Sequence, residues 1–305
     1  MQGAWTSFQG TPIGPNHFIS AAHLGGNVGQ IFTFHGVDYT TIASWIDSAS
    51  DLEIWEVAGT FPSWAELYDG PTETGADLVV FGRGVIRGAE VRLNGVLKGW
   101  QWAPWDGRMR WGRNTVAAII DDPDHAASDL PQLLVASFDA NATADEAHLG
   151  GGDSGGGVFI QQNNTWRLAG INYAVEGPYK TSDPGDAFLA SIFDDGGLYH
   201  SEGPDTWVFT PDLPTDQPGS FFATRIKARL PWIQSVLALP LWPVLLEASN
   251  VTGPYTAVTG ATIDQTAKTI QFTPGEGSHF YKMQNVATTI TSIQLNGGTL
   301  TLRYQ

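Results

Sequence analysis

The chain has 305 residues, of which 42% are apolar and only 15% charged, so it can build a large core and is not a disordered polymer. Its 31 acidic against 15 basic residues leave a net charge of −16, which argues against nucleic acid and anionic membrane as partners, because both demand a basic face. Cysteine is absent, which excludes disulfides, thiolate metal sites and cysteine nucleophiles.

In chain order, Met1 to Trp5 shows no basic stretch followed by an apolar core, so it does not read as a signal peptide, and export would need a signal outside this chain. Short apolar segments separated by turn residues follow at 16–19, 31–34, 52–57, 78–81, 91–93, 133–136, 157–160 and 166–172, and each reads as a strand. With 36 glycines and 18 prolines, many turns and a β-rich fold are predicted. The aromatic group Trp100, Trp102, Trp105 and Trp111 is predicted to pack in core and loops rather than to form a sugar platform. Asp121, Asp122 and Asp124 could offer oxygen ligands to calcium, but read better as a solvated loop. Residues 195–220 read as a long surface insertion. Residues 230–239 read as a helix, with Pro231 in its first turn and Ile233, Val236 and Leu237 on one face. The apolar run 236–246 is broken by Pro240 and Pro243 and is too short to span a bilayer. Beyond it the composition changes. Residues 240–305 balance three acids with three bases, so the whole net charge sits on 1–239. This tail alternates in the strand manner, and Asn296-Gly297-Gly298 predicts a hairpin.

Residues 150–157, Gly-Gly-Gly-Asp-Ser-Gly-Gly-Gly, lead directly into an apolar strand. Glycine admits dihedrals that other residues avoid, so such a turn can converge its N–H groups as an anion-binding nest beside the Ser154 hydroxyl. The alternative is a plain glycine-rich turn. A serine nucleophile needs a base, and the base needs an orienting carboxylate. His23 is the candidate base. Asp51 is the candidate carboxylate, with Asp47 as its rival. Taken singly, each of these is ordinarily a structural residue.

Together, Ser20-Ala21-Ala22-His23, Asp51-Leu52-Glu53-Ile54 and Gly152-Asp153-Ser154-Gly155-Gly156 resemble the histidine, aspartate and nucleophile motifs of the chymotrypsin-like (trypsin-like) serine peptidases, in that order. The histidine motif has Ser for Thr, and the aspartate motif carries two changes. Leu168-Ala-Gly-Ile171 resembles the strand after the nucleophile. Phe222-Ala-Thr-Arg-Ile226 with Pro231-Trp232-Ile233 resembles the last strand and closing helix. The resemblance covers about residues 10–239.

It implies an all-β fold: two six-stranded antiparallel barrels with the site between them and a C-terminal helix, forming a peptidase domain over 1–239. A small β-rich domain over 240–305 follows. It implies a serine endopeptidase acting through an acyl-enzyme, with Ser154 as nucleophile, His23 as general base and Asp51 as its orienter. The N–H groups of Gly152 and Ser154 would form the oxyanion hole. No metal and no cofactor are implied. The expected partner is a protein or peptide substrate, with no nucleic acid and no membrane insertion, and a monomer is expected. A faint likeness of the tail to β modules on exported bacterial proteins points to a secreted or cell-surface bacterial protein. The alternative function is a catalytically silent peptidase-fold binding protein, or a surface adhesion protein.

The chain departs from the family at several places. The base of the primary specificity pocket falls on His148, which does not suit cleavage after basic residues and could accept an acidic side chain. A Ser usual on the strand after the nucleophile falls on Tyr173, so the pocket wall at Tyr173 and Val175 differs in shape. The stretch before the first matching strand looks too short to deliver a freed N-terminal amine to Asp153, so either the site is ordered by other means or this form is inactive.

Overall fold

The computed structural model describes residues 1–125, 130–140, 142–239, 243–264, 267–284 and 289–305. The boundary expected after residue 239 abuts residues outside that set.

The N-terminal part is a closed six-stranded barrel. Its strands are β1 (Gly3–Trp5), β2 (Phe8–Pro12), β3 (His17–Ala21), β4 (Ile31–Phe34), β5 (Val37–Ile46) and β6 (Leu52–Val57), in the order β1-β2-β3-β6-β5-β4, with β4 returning to β1. Local chemistry sets the registers. Between β4 and β5, His35 and Gly36 both take positive φ (51° and 76°), the requirement of a two-residue type I′ turn, and Phe34 therefore faces Val37. The barrel interior is aromatic: Trp5, Phe18, Phe32, Phe34, Trp55 and Phe61 are buried together, and the Phe18 and Phe32 rings stack with centroids 4.0 Å apart. Large buried rings supply here the area that a cysteine-free chain cannot replace with cross-links. β6 does not alternate as its sequence suggests, because every residue from Leu52 to Val57 is buried, Glu53 and Glu56 included. The strand sits between β3 and β5 and is covered on both faces. Burial pushes the Glu53 carboxyl above its ordinary range.

The strands that follow are β7 (Asp77–Gly82), β8 (Ile86–Leu93), β9 (Val96–Ala103), β10 (Arg110–Thr115), β11 (Ala118–Ile120), β12 (Leu133–Ser137), β13 (Gly157–Gln162), β14 (Thr165–Val175), β15 (Tyr179–Lys180), β16 (Ala190–Ile192), β17 (Tyr199–Gly203), β18 (Thr206–Phe209) and β19 (Ser220–Arg225). Seven of them form one sheet, β10-β7-β13-β14-β19-β12-β11. The fold class is thus the all-β one expected, with a closed barrel and a half-barrel. The second unit has seven strands and stays open between its edge strands β10 and β11. There the Asn114 side-chain amide donates to Ser137 O and Ala147 O, and segment 145–147 bonds to Arg113, so edge groups are satisfied without a continuous ladder.

One apolar cluster joins the two halves. Ile19 and Ile54 come from the barrel, Phe159, Leu168 and Ile171 from the half-barrel, and Ile226 and Ile233 from the helix α1 (Ile226–Leu237). Each fully buried aliphatic residue there stabilises by roughly 1.5–3 kcal/mol. The helix starts four residues before the predicted position, which leaves Pro231 in its second turn. Ile226 lies two turns before Ile233 on the same face, and its burial holds the extra turn.

β19 is fastened by a bidentate pair. Arg225 Nε and Nη2 donate to Glu73 Oε1 and Oε2 at 2.7 and 2.9 Å, and both side chains are buried. Glu73→Ala leaves the guanidinium buried and unpaired, and is expected to cost about 3–5 kcal/mol of stability. Chemical denaturation checks this, and Glu73→Gln should lose less.

The insertion at 195–220 carries the β17–β18 hairpin and is anchored by Lys98. That ammonium is buried and donates to Asp194 and Asp212 at 2.5 and 2.9 Å. Of the aromatic group, Trp100 and Trp102 are half-buried, whereas Trp105 and Trp111 are exposed. In the tail, the strands Val244–Ala248, Thr256–Ala257 and Phe280–Gln284 form one sheet, and Thr262–Asp264, Thr269–Phe272, Ile290–Asn296 and Thr299–Tyr304 form another. The predicted hairpin is present, with Asn296 facing Thr299 across Gly297-Gly298. Leu245, Ile270, Phe272, Leu302 and Tyr304 make the tail's own core. No helix among the described residues is long and apolar enough to cross a membrane.

Candidate active site

β3 ends in a single 3-10 turn, Ala22–Leu24, which carries His23. The β3–β6 ladder pairs Ala21 with Leu52, so Asp51 arrives directly beside that turn. Ala22 N donates to Asp51 O at 3.1 Å. The carboxylate then takes two bonds from one residue: His23 N donates to Oδ1 at 2.7 Å, and His23 Nδ1 meets Oδ2 at 2.6 Å. A carboxylate accepts only, so Nδ1 carries the proton and Nε2 keeps its lone pair. Asp51 is buried, while the His23 side chain is 39% exposed. The imidazole of His23 is held from behind and open in front. The rival acid, Asp47, is engaged elsewhere: it accepts from Arg229 Nε and Nη2 and from Ser50 Oγ.

Ser154 lies on the turn that enters β13. Gly152 and Gly155 take φ of +91° and +78°, which a side chain would oppose. A Cβ at Gly155 would also lie 2.5 Å from Gln9 O and from Ser20 Oγ, and 3.0 Å from Leu24 Cδ1. The nucleophile turn therefore presses against the segment that carries His23. From the other side it is held by Asn172, which is fully buried: Gly155 N donates to Asn172 O, and Asn172 Nδ2 donates to Asp153 O and Phe81 O.

The Asp153 carboxylate is buried too. Gly84 N donates to its Oδ1 at 2.7 Å and Gly150 N to its Oδ2 at 2.8 Å. Burial raises its pKa, and these amides act against that rise. The carboxylate for which the resemblance implied an N-terminal amine is satisfied by two backbone N–H groups. Among the described residues, the amides of Gly152 and Ser154 donate to no protein acceptor. Two unspent donors next to a serine hydroxyl are what a developing oxyanion requires.

Ser154 borders a cavity of about 90 Å³, with Trp102, Leu149, Asn172, Tyr173, Ala174 and Val175 on its walls. The Tyr173 ring stands edge-on to His23, centroids 6.1 Å apart, so this tyrosine touches both the base and the Ser154 cavity. Its hydroxyl donates to Asp124 at 2.8 Å, and Asp122 holds His125. His148 lines a different, larger cavity. Its Nδ1 donates to Leu149 O, its ring packs on Phe138 and Phe221, and burial pushes its pKa down to about 4. The imidazole is neutral at neutral pH and offers no positive charge to an acidic side chain.

Sequence reading missed Asn172, Gly84 and Trp102. An Asn inside an otherwise apolar strand was a usable sign of a buried structural amide. The other two act across more than 45 residues of chain and left no local mark.

No family model matches the chain, and no curated protein matches it. Among solved structures it is similar to neuropsin, a serine protease expressed in the limbic system of mouse brain. The identity is 12%, with 77% of this chain and 92% of that chain covered and a TM-score of 0.46.

Proposed function

We propose that the protein is a serine endopeptidase that cleaves peptide bonds through an acyl-enzyme. The observation that carries this reading is the His23–Asp51 pair, bonded at 2.6 Å, beside a serine turn whose Gly152 and Ser154 amides have no protein acceptor. The motif resemblance supports it independently. In the first step Ser154 Oγ bonds to the scissile carbonyl carbon as its proton passes to His23 Nε2, and the carbonyl oxygen takes up the negative charge against the two amides. Collapse of that intermediate expels the amine, which leaves with the proton from His23. Water, deprotonated by the same nitrogen, then releases the acid. Asp51 keeps Nδ1 protonated and balances the transient imidazolium.

A fluorophosphonate, which reports an activated serine, is expected to label Ser154 in the intact protein and to lose that label in His23→Ala. A folded wild-type chain that stays unlabelled favours the silent binding protein instead. The cavity beside Ser154 also supports a preference for small side chains. It is small, and Trp102 and Tyr173 line it. Its one acidic residue, Asp153, is already bonded to amides. Alanine or valine before the scissile bond should exceed arginine, glutamate and phenylalanine by about tenfold or more in kcat/KM across a peptide library.

A further inference from the structure

A second cavity lies behind the one beside Ser154 and is lined by neither Ser154 nor His23. It measures about 330 Å³, within the range of small-ligand pockets, and lies among the β8–β9 hairpin, β10 and the segment before the nucleophile turn. Trp100, Trp102 and Phe138 give it an apolar, aromatic wall.

Two sets of polar groups on its walls bear on what it can hold. Arg87 lies with its guanidinium 4.4 Å from the centroid of the Trp100 ring. Arg87 has no carboxylate ion pair among the described residues, as is true of Arg83, Arg113 and Arg303, but of these four only Arg87 lines the cavity. Glu146 Oε1 and His148 Nε2 also line the cavity and are buried without a hydrogen bond of normal geometry, with backbone groups of Asp139 and Ser220 near the two side chains. Because His148 Nδ1 donates to Leu149 O, its Nε2 is an acceptor. The cavity thus presents the unpaired Arg87 guanidinium and two buried acceptors around an aromatic wall, with Arg108 and Arg110, both near Asp106, also on its lining.

We propose that this cavity binds an aromatic α-amino acid unit, either free or as the C-terminal residue of a peptide. Its carboxylate pairs with Arg87, its N–H donors fill Glu146 Oε1 and His148 Nε2, and its ring lies against Trp100, Trp102 and Phe138. Guanidinium and carboxylate match as a fork, and buried acceptors favour a ligand that brings donors. Trp102, Leu149, Gly150 and Asp153 line both this cavity and the one beside Ser154, so the occupant rests against the outer wall of the nucleophile turn.

The test is calorimetric titration of the full-length Ser154→Ala protein, which needs no catalysis and so stands apart from the peptidase reading. The probes are L-phenylalanine, glycyl-glycyl-phenylalanine, 3-phenylpropanoate and phenethylamine. Saturable binding of L-phenylalanine supports a free amino acid, and binding of the tripeptide alone supports a chain end. For the probe that binds, removing the carboxylate or the amine should weaken binding about tenfold. Arg87→Met, an exposed change, should weaken the carboxylate probes about tenfold and leave phenethylamine unchanged. Glu146→Gln should weaken L-phenylalanine and phenethylamine and leave 3-phenylpropanoate unchanged. Absence of saturable heat with both phenylalanine probes up to about 10 mM, or equal affinity in wild type and Arg87→Met, overturns the proposal.

Discussion

Replacing Ser154 by alanine is expected to lower the rate of peptide hydrolysis by about 10⁶-fold while the fold and its stability stay unchanged. The size follows from what the hydroxyl does. In the proposed mechanism it is the atom that bonds to substrate, and no neighbour can take its place: Asp153 is spent on two amides, and Asn172 is spent on Asp153 O and Phe81 O. The stability expectation follows from what shapes the turn. Its geometry comes from two positive-φ glycines, the Asp153 carboxylate and the buried Asn172, none of which needs the Ser154 side chain. The unspent Gly152 and Ser154 amides survive the substitution, so a residual rate of about 10³–10⁴ over water should persist. His23→Ala in the Ser154→Ala background should then cost almost nothing more, because the two side chains act as a unit. Steady-state kinetics on a peptide library, with circular dichroism on each variant, measures this. Equal hydrolysis by wild type and Ser154→Ala removes Ser154 from the reaction.

The residues of the candidate site were legible in sequence for a physical reason. A proton relay needs particular side chains, and each sits in a short local motif whose neighbours are constrained as well: small residues before His23, a strand after Asp51, glycines around Ser154. The strands were legible where turn chemistry and apolar runs agree, as at the Asn296-Gly297-Gly298 hairpin. Contacts made across distant chain were not. Asp153 is ordered by Gly84, 69 positions earlier, and Trp102 narrows a pocket whose other walls lie at 149–175. The full burial of β6 was not legible, because polar residues in a strand do not reveal that both of its faces are covered; Glu53 and Glu56 lie buried there. The helix start was misplaced because Pro231 is a strong local signal, whereas the burial of Ile226 is decided by packing against the barrel seam.

Asp51→Asn is expected to lower kcat at neutral pH by about 10⁴-fold with the backbone in place. The carboxylate accepts two bonds from one residue, at His23 N and His23 Nδ1. An asparagine has only one accepting oxygen. If that oxygen takes the His23 amide, the asparagine NH₂ faces Nδ1 and forces it to accept. The ring proton then moves to Nε2, the nitrogen that must receive the proton of Ser154, and the base is lost without the fold changing. Asp47→Asn gives the matched control. Asp47 binds Arg229 and Ser50, with no bond to His23 among the described residues. Its substitution should cost about 1–3 kcal/mol of stability through the weakened ion pair and leave the rate within a few-fold of wild type. Rates and melting temperatures of the two variants separate the roles. A larger rate loss in Asp47→Asn than in Asp51→Asn would hand the orienting role to Asp47 and leave the 2.6 Å contact between His23 and Asp51 without a catalytic purpose.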